Sequence, residues 1–344
     1  MKKHETRKRL RALWRTLAVI LVLVAAVPYL VPLSAHRAAA GPLPFDNSAF
    51  EEVNGFSFHY RAYRPNDGII RGKLLLVHGL AGSTFSFEAA APRLSKQGYF
   101  VVSADLPGFG YSDRDPTYDH SQARRADDLW GLLSLIDQSL PGDIAAQPWH
   151  LGGHSMGGGT AAAMAMRDPS RARSLILVDA ALFETPNRAG LLAIPPLGRW
   201  MTLALEHYLI SESRISSLLE SAYGREPSPE EVEGYLSPLR LPGTARSLLN
   251  FVRTSKNEDP AGLKGLPVPV IAIWGSRDTW VPPEDLDRLS AIRPDITARV
   301  IEGAAHCPME THPDEFTAIV LEWLSGIRSA LVITTLNISQ PNIS

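Results

Sequence analysis

The sequence predicts an α/β fold: a mainly parallel central sheet covered by helices on both faces, with an all-helical block inserted late in the chain. Three observations predict it. Short, near-continuous apolar runs alternate with helical patterns, as strands buried on both faces require. That rhythm breaks over residues 183–265, where amphipathic pieces divided by Pro and Gly follow one another without a strand-like run. A chain of 344 residues, 45% hydrophobic and 20% charged, can bury one large core and lies outside the disordered class.

Residues 1–40 read as an address. Residues 16–33 (TLAVILVLVAAVPYLVPL) are eighteen and uncharged. At 1.5 Å per residue such a helix spans roughly 27 Å, enough for a hydrocarbon core. Lys2, Lys3, Arg7, Lys8, Arg9, Arg11 and Arg15 precede it, which predicts a cytoplasmic N-terminus and a body on the far side of the membrane. Two readings stand. An uncleaved single-pass anchor is favoured by the length of the stretch and by Arg37. A signal peptide would instead be cut after Ala38-Ala39-Ala40, near Ala40, leaving a secreted body. No cysteine lies nearby to carry a lipid. The single Cys307 also excludes an intrachain disulfide framework and any multi-cysteine metal site.

The net charge of −2 hides an asymmetry. Taking eight basic residues and one acid in residues 1–40 from the chain's 34 and 36 leaves 26 and 35, so the body carries about −9. Such a body is a poor partner for nucleic acid.

Residues 41–182 and 266–328 are the two expected parts of the core. Residues 41–47 (GPLPFDN) read as a linker, and Asn54-Gly55 between alternating flanks signals a hairpin. Residues 73–79, 99–105, 149–153, 174–179, 269–275 and 298–302 read as strands. Residues 85–97, 121–139, 156–168, 283–292 and 313–327 read as helices. Within the insert, residues 200–210, 213–223, 228–235 and 244–254 have helical periodicity. A helical block at the carboxyl end of a parallel sheet lies over the place where such sheets bind ligands, so it reads as a cap. Residues 329–344 lack a partner pattern and read as a loose tail. Asn337-Ile338-Ser339 and Asn342-Ile343-Ser344 match the glycosylation acceptor pattern, which matters only in a eukaryotic secretory host.

The chemistry is in three strings. Gly153-His154-Ser155-Met156-Gly157 fits G-x-S-x-G, directly after a strand and directly before an Ala-rich helix. The glycines relieve crowding in a tight strand-to-helix turn, and the helix N-terminus favours developing negative charge. No Lys-Ser/Thr pair follows, which excludes a nucleotide P-loop. The second string, 76–83 (LVHGLAGS), ends an early strand. A tetrahedral intermediate needs two preorganised backbone donors; Met156 N–H and Leu80 N–H are the candidates, with His78 as a turn-stabilising hydrogen-bonder. The third string is split. Asp278 follows one late strand and His306 the next. A serine needs an imidazole to take its proton, and the imidazole needs a carboxylate to fix its tautomer. The order Ser155, Asp278, His306 fits projection from the carboxyl edge of one sheet.

On these residues, and on the loop 105–112 (DLPGFGYS), the sequence resembles the α/β-hydrolase superfamily over about residues 50–328. Within it the chain looks most like the helical-cap serine hydrolase and esterase branch, similar to C–C bond hydrolases and monoacylglycerol-lipase-like esterases. The resemblance implies no metal and no organic cofactor. Epoxide hydrolases and haloalkane dehalogenases of this type carry aspartate at the nucleophile position, so Ser155 argues against both.

Other residues compete for roles. Asp179 ends a strand where some relatives place the acid. His154 is expected to pack beside Ser155, and His150 and His154 on a strand and elbow make no zinc pair. His312 reads as a cap or surface residue, Cys307 as a small buried one, and Asp105 as shaping its loop. The expected activity is hydrolysis of a small-molecule carboxylic ester or lipid-like substrate through an acyl-enzyme. Alternatives are a C–C hydrolase of dicarbonyl acids, with Arg188, Arg199 and Arg240 as cap cations, a lipase, or a non-catalytic ligand-binding protein.

Overall fold

The computed structural model describes residues 2–33, 43–183 and 194–338. Ala38-Ala39-Ala40, Arg37, Arg188 and Asn342-Ile343-Ser344 lie outside the described residues. Helix α1 is Lys2–Leu30, so the basic stretch and the apolar stretch form one continuous helix. Its helical run ends at Leu30 rather than at Leu33. One window of it has mean hydropathy 2.0 with none of it buried, long and apolar enough to cross a membrane.

Strands β1 (Ser48–Val53) and β2 (Phe56–Tyr63) pair antiparallel. Asn54 and Gly55 join them with φ of 53° and 82°, the two positive angles that a two-residue hairpin turn matching strand twist requires. Six parallel strands follow: β3 (Gly72–Val77), β4 (Tyr99–Ala104), β5 (Trp149–His154), β6 (Ala172–Val178), β7 (Val270–Gly275) and β8 (Thr297–Ile301). The sheet order is β1-β2-β4-β3-β5-β6-β7-β8. Side chains alternate between two cores, as the strand period of two demands. Leu75 and Val77 of β3 join one core while Leu74 and Leu76 join the other. In β7, Ala272 and Trp274 face the first and Ile271 and Ile273 the second.

The helices are α2 (Ala90–Lys96), α3 (Gln122–Asp137), α4 (Gly142–Ala145), α5 (Met156–Arg167), α6 (Pro195–Ala204), α7 (Glu212–Tyr223), α8 (Pro229–Leu239), α9 (Thr244–Thr254), α10 (Glu284–Ile292), α11 (Pro308–Thr311) and α12 (Pro313–Ile338). Leucines of α3 and alanines of α5 bury against the first face. Leu94 of α2 and Phe316, Val320 and Leu324 of α12 bury against the second.

Three boundaries differ from the sequence reading, each for a physical reason. The helix expected over 85–97 splits into a 3-10 turn at Thr84–Phe87 and α2. Pro92 fits the first turn of α2 but would break a longer helix internally. The insert's first helix starts earlier than 200 because Pro195 and Pro196 suit a helix start, and it passes at Ala204 into a π-helical turn, Leu205–Leu209. Finally, α12 continues past Arg328 to Ile338 where a loose tail was expected. Its β-branched residues extend an existing helix, and propagation adds one hydrogen bond per residue without a new nucleus.

Candidate active site

Strand β5 ends at His154 and α5 begins at Met156, so a single residue makes the turn. Ser155 takes φ 50° and ψ −119°, a region that L side chains rarely occupy. Its neighbours force that geometry. The Ser155 N–H donates to Val178 O at 2.9 Å, and its carbonyl accepts from the Gly158 and Ala181 N–H groups, each at 3.0 Å. A Cβ on Gly153 would run into the Gly157 carbonyl, and one on Gly157 into the Val77 and His78 carbonyls. Only glycine fits at either place. Met156 is the first residue of α5, so its N–H is among the four without an intrahelical acceptor, at the positive end of the helix dipole.

Asp278 lies in the turn after β7 and His306 in the turn after β8. His306 Nδ1 and Asp278 Oδ2 are 2.7 Å apart, with both residues 3% exposed. Asp278 Oδ1 accepts from the Trp280 N–H at 2.7 Å and the Val281 N–H at 3.1 Å. His306 is held on every side. Its N–H donates to Ala222 O at 2.9 Å, and the Trp280 ring stacks on its imidazole at 5.2 Å between centroids. His154 Nε2 lies 2.7 Å from His306 O. A carbonyl only accepts, so His154 carries its proton on Nε2. Burial first, and the neighbouring His306 second, push the His154 pKa well down. It is a neutral packing partner, as the sequence reading expected.

A cavity of about 1290 Å³ opens over this edge of the sheet. Ser155, Met156, Leu80 and His306 line its floor, and Leu219 of α7 and Leu239 of α8 line its roof. Four of the five sequence-selected site residues therefore share one wall, and Asp278 supports His306 from behind. Leu80 sits in the loop Gly79–Gly82, where Ala81 adopts φ 60°.

The competitors settle elsewhere. His78 Nδ1 lies 2.7 Å from Gly79 O, and its Nε2 accepts the Leu106 N–H at 3.0 Å, which makes it a loop brace. Asp179 accepts the Gly275 N–H at 2.8 Å, while its other oxygen has no hydrogen-bond partner among the described residues. Burial, then the adjacent Asp278, push its carboxyl well above the usual range. Donor atoms of Asp179, Asp278 and His306 lie within 4.8 Å of one another, a spacing that could hold a metal ion. Asp278 and His306 already spend theirs on each other. His150 bonds Ser174 Oγ at 2.7 Å. Arg240 pairs with Glu233 at 3.9 Å, and Arg199 donates to carbonyls of α1. Neither of these two arginines lines the cavity, and Arg188 lies outside the described residues; the cations that line it are Arg253 and Lys256.

Two features escaped the sequence reading. A hydrogen-bonded Ser–His–Asp chain lies at the hairpin. Ser48 Oγ is 2.7 Å from His59 Nε2, and His59 Nδ1 is 2.7 Å from Asp105 Oδ2. Asp105 also accepts from the Thr84 N–H at 2.6 Å and the Tyr111 N–H at 2.7 Å, which is the loop-shaping role expected of it. The other feature is Glu310 on α11. Tyr223 of α7 donates to Oε2 at 2.5 Å and Tyr235 of α8 to Oε1 at 2.6 Å, so one carboxylate ties two insert helices to the core. Burial pushes its pKa up to about 7 against those hydrogen bonds. No spacing rule signals either arrangement.

Comparison with known proteins gives concordant matches. A family model described as alpha/beta hydrolase fold matches residues 73–313. Lipase 3 of Moraxella sp. is 28% identical over 255 residues, covering 72% of this chain and 75% of that protein. A pimeloyl-(acyl-carrier protein) methyl ester esterase of Neisseria meningitidis serogroup B is 28% identical over 258 residues, covering 74% of this chain and 93% of the esterase. Among solved structures, a bacterial membrane phospholipase A superposes with TM-score 0.64 at 22% identity, covering 94% of this chain and 99% of that one.

Proposed function

The chain belongs to the α/β-hydrolase fold family, and from that premise we propose that it is a membrane-anchored serine hydrolase of carboxylic esters, with residues 183–265 as its cap. The observation that carries the reading is the His306–Asp278 pair on the wall of the cavity that also holds the strained Ser155. Asp278 accepts the Nδ1 proton of His306, which leaves Nε2 as a base towards the cavity. Ser155 Oγ attacks the ester carbonyl as Nε2 takes its proton. The Leu80 and Met156 N–H groups hold the oxyanion, and His306 returns the proton to the leaving alcohol. Water then attacks the acyl-enzyme by the same route.

The acyl group is apolar. Ile215, Leu218, Leu219, Leu239 and Val252 line the cavity, and relatives named as a lipase and a methyl ester esterase are consistent with such a substrate. Helix α1 is the anchor, with the body on the extracytoplasmic side, opposite the basic N-terminus.

The test is a panel of p-nitrophenyl esters from C2 to C16 on the full chain in detergent, beside one dicarbonyl C–C substrate. Ester turnover that rises with acyl length beyond C2 is expected. Cleavage of the C–C substrate without ester turnover would overturn the reading. For the address, carbonate washing should leave the chain in the membrane pellet; a soluble body beginning near Gly41 would replace the anchor with a signal peptide.

A further inference from the structure

Pro28 lies inside α1 and has no N–H, so the Val24 carbonyl four residues back has no donor from its own helix. The indole N–H of Trp200, on α6, donates to that carbonyl at 2.8 Å. Where α1 ends, Arg199 Nε donates to Pro28 O at 3.0 Å and Arg199 Nη2 to Val31 O at 2.7 Å. The same guanidinium sits 5.8 Å from the Tyr29 ring centroid. Two consecutive residues of α6 thus satisfy the carbonyls that a proline and a helix end leave open.

In water those carbonyls would need no such help. In hydrocarbon each unsatisfied backbone group costs several kcal/mol. Trp, Tyr and Arg are also the side chains suited to the headgroup level, with one end apolar and the other polar. On the outer surface of α6 and just before it, Ile194, Leu197 and Trp200 are 47%, 43% and 39% exposed. The apolar side chains of α1 leading up to the contact are exposed as well, Leu21 and Val22 among them.

We propose that α6 is a lipid-docking element: clasped to the second half of α1 at Val24 and Pro28 and just past its end at Val31, it lays Ile194, Leu197 and Trp200 into the extracytoplasmic leaflet of the bilayer that α1 crosses. The proposal rests on the anchor reading above. Its occupant is lipid because the exposed apolar face of α6 runs directly into an apolar span whose surroundings can only be acyl chain. Helix α6 packs on α9, and α9 in turn lines the cavity through residues 251–254. Only α6 and α9 therefore lie between the bilayer and the substrate cavity on this side, which suits an amphiphilic ester held in the leaflet.

The experiment uses the full chain in phosphatidylcholine–phosphatidylglycerol vesicles, spin-labelled through Leu197→Cys, with Glu220→Cys on exposed α7 as the comparison and the unsubstituted chain as background for buried Cys307. The label at 197 should collide more with oxygen than with a water-soluble nickel chelate, and the label at 220 the reverse. A water-exposed label at 197, on a chain that stays in the carbonate-washed pellet, overturns the proposal and leaves the anchor standing. A label at 197 shielded from both reagents in a concentration-dependent way assigns the face to a second copy and also overturns it. A chain released by carbonate removes the anchor reading and the proposal together. As a second measurement, Trp200→Phe should slow hydrolysis of a long-chain ester carried in the vesicles several-fold while leaving soluble p-nitrophenyl acetate unchanged. Equal loss on both substrates counts against docking.

Discussion

Ser48, His59 and Asp105 form a hydrogen-bonded Ser–His–Asp chain, and the proposed set of Ser155, His306 and Asp278 shares with it the residue types and the His–Asp contact. Ser48, His59 and Asp105 are joined by two contacts of 2.7 Å, and His306 meets Asp278 at the same distance. Exposure does not separate them, since Ser48 and Ser155 are each 9% exposed. Backbone and surroundings do. Ser48 opens an antiparallel strand, where its own N–H is tied to Phe45 O at 3.0 Å, and neither it nor His59 lines the cavity. Phe50 and Tyr111 close over the His59 ring at 5.0 and 5.4 Å. Ser155 sits instead on a strained turn, at a helix N-terminus with unspent N–H donors, and on a cavity wall. The same three residue types brace a hairpin in one place and can perform acyl transfer in the other. What decides is room for a substrate and donors for its oxyanion.

The largest way to break that comparison is to remove each serine. Ser155→Ala should lower kcat on the order of 10⁶-fold, the loss typical of an essential nucleophile. Initial-rate assays on a medium-chain p-nitrophenyl ester check it.

The acids come next. Asp278→Asn should lower kcat roughly 10⁴-fold, if the tautomer effect known for serine proteases carries over. Asp179→Asn should be far milder, because Asp179 bonds the Gly275 N–H while His306 pairs with Asp278. Greater damage from Asp179→Asn would mean that the carboxylates exchange roles. Asp105→Asn should act on stability rather than on turnover per folded molecule. Spoiling its buried hydrogen bonds costs about 1–3 kcal/mol, read as a lower urea midpoint.

A pH effect of defined sign sharpens the contrast between a group in a hydrogen-bonded brace and one in the cap clasp. An unfolded glutamate loses its proton near 4.3, whereas folded Glu310 keeps it up to about 7. Between those values the folded state binds more protons, so stability should fall as pH rises through that window and level off above it. Glu310→Gln should flatten the slope. Asp105 has the opposite sign. Burial opposes its charge, but His59 and the backbone donors outweigh burial and hold its pKa down, so its contribution is present above the ordinary aspartate range and is lost in acid. Urea midpoints from about pH 2 to 8.5 check both. The smallest effect belongs to Ser48→Ala, about 1 kcal/mol of stability with kcat unchanged.

Much of this was legible in the sequence, and the reasons are specific. Strands β3 to β7 are buried almost throughout and mostly apolar, so they stand out whatever the tertiary context, whereas β8 is a largely exposed edge. Ser155 is legible because Gly153 and Gly157 are forced by carbonyls that a Cβ would strike. Asp278 and His306 follow strands in the order that one sheet edge imposes. The Ser48–His59–Asp105 chain was not legible, because it depends on register: β2 pairs with β4 so that Tyr60 lies opposite Ala104, which brings His59 beside Asp105. The Glu310 clasp depends on how α7 and α8 fold back over α11, which no local pattern encodes. The same holds for Trp200 and Arg199, whose partners lie about 170 residues away in α1.

The most direct test of the central claim is covalent labelling with a fluorophosphonate, followed by peptide mass spectrometry. A base-activated serine beside an oxyanion hole attacks phosphorus as it attacks carbonyl carbon. All label should map to Ser155, none to Ser48, and Ser155→Ala should abolish it. Label that persists in Ser155→Ala, or that maps to Ser48, would contradict the account.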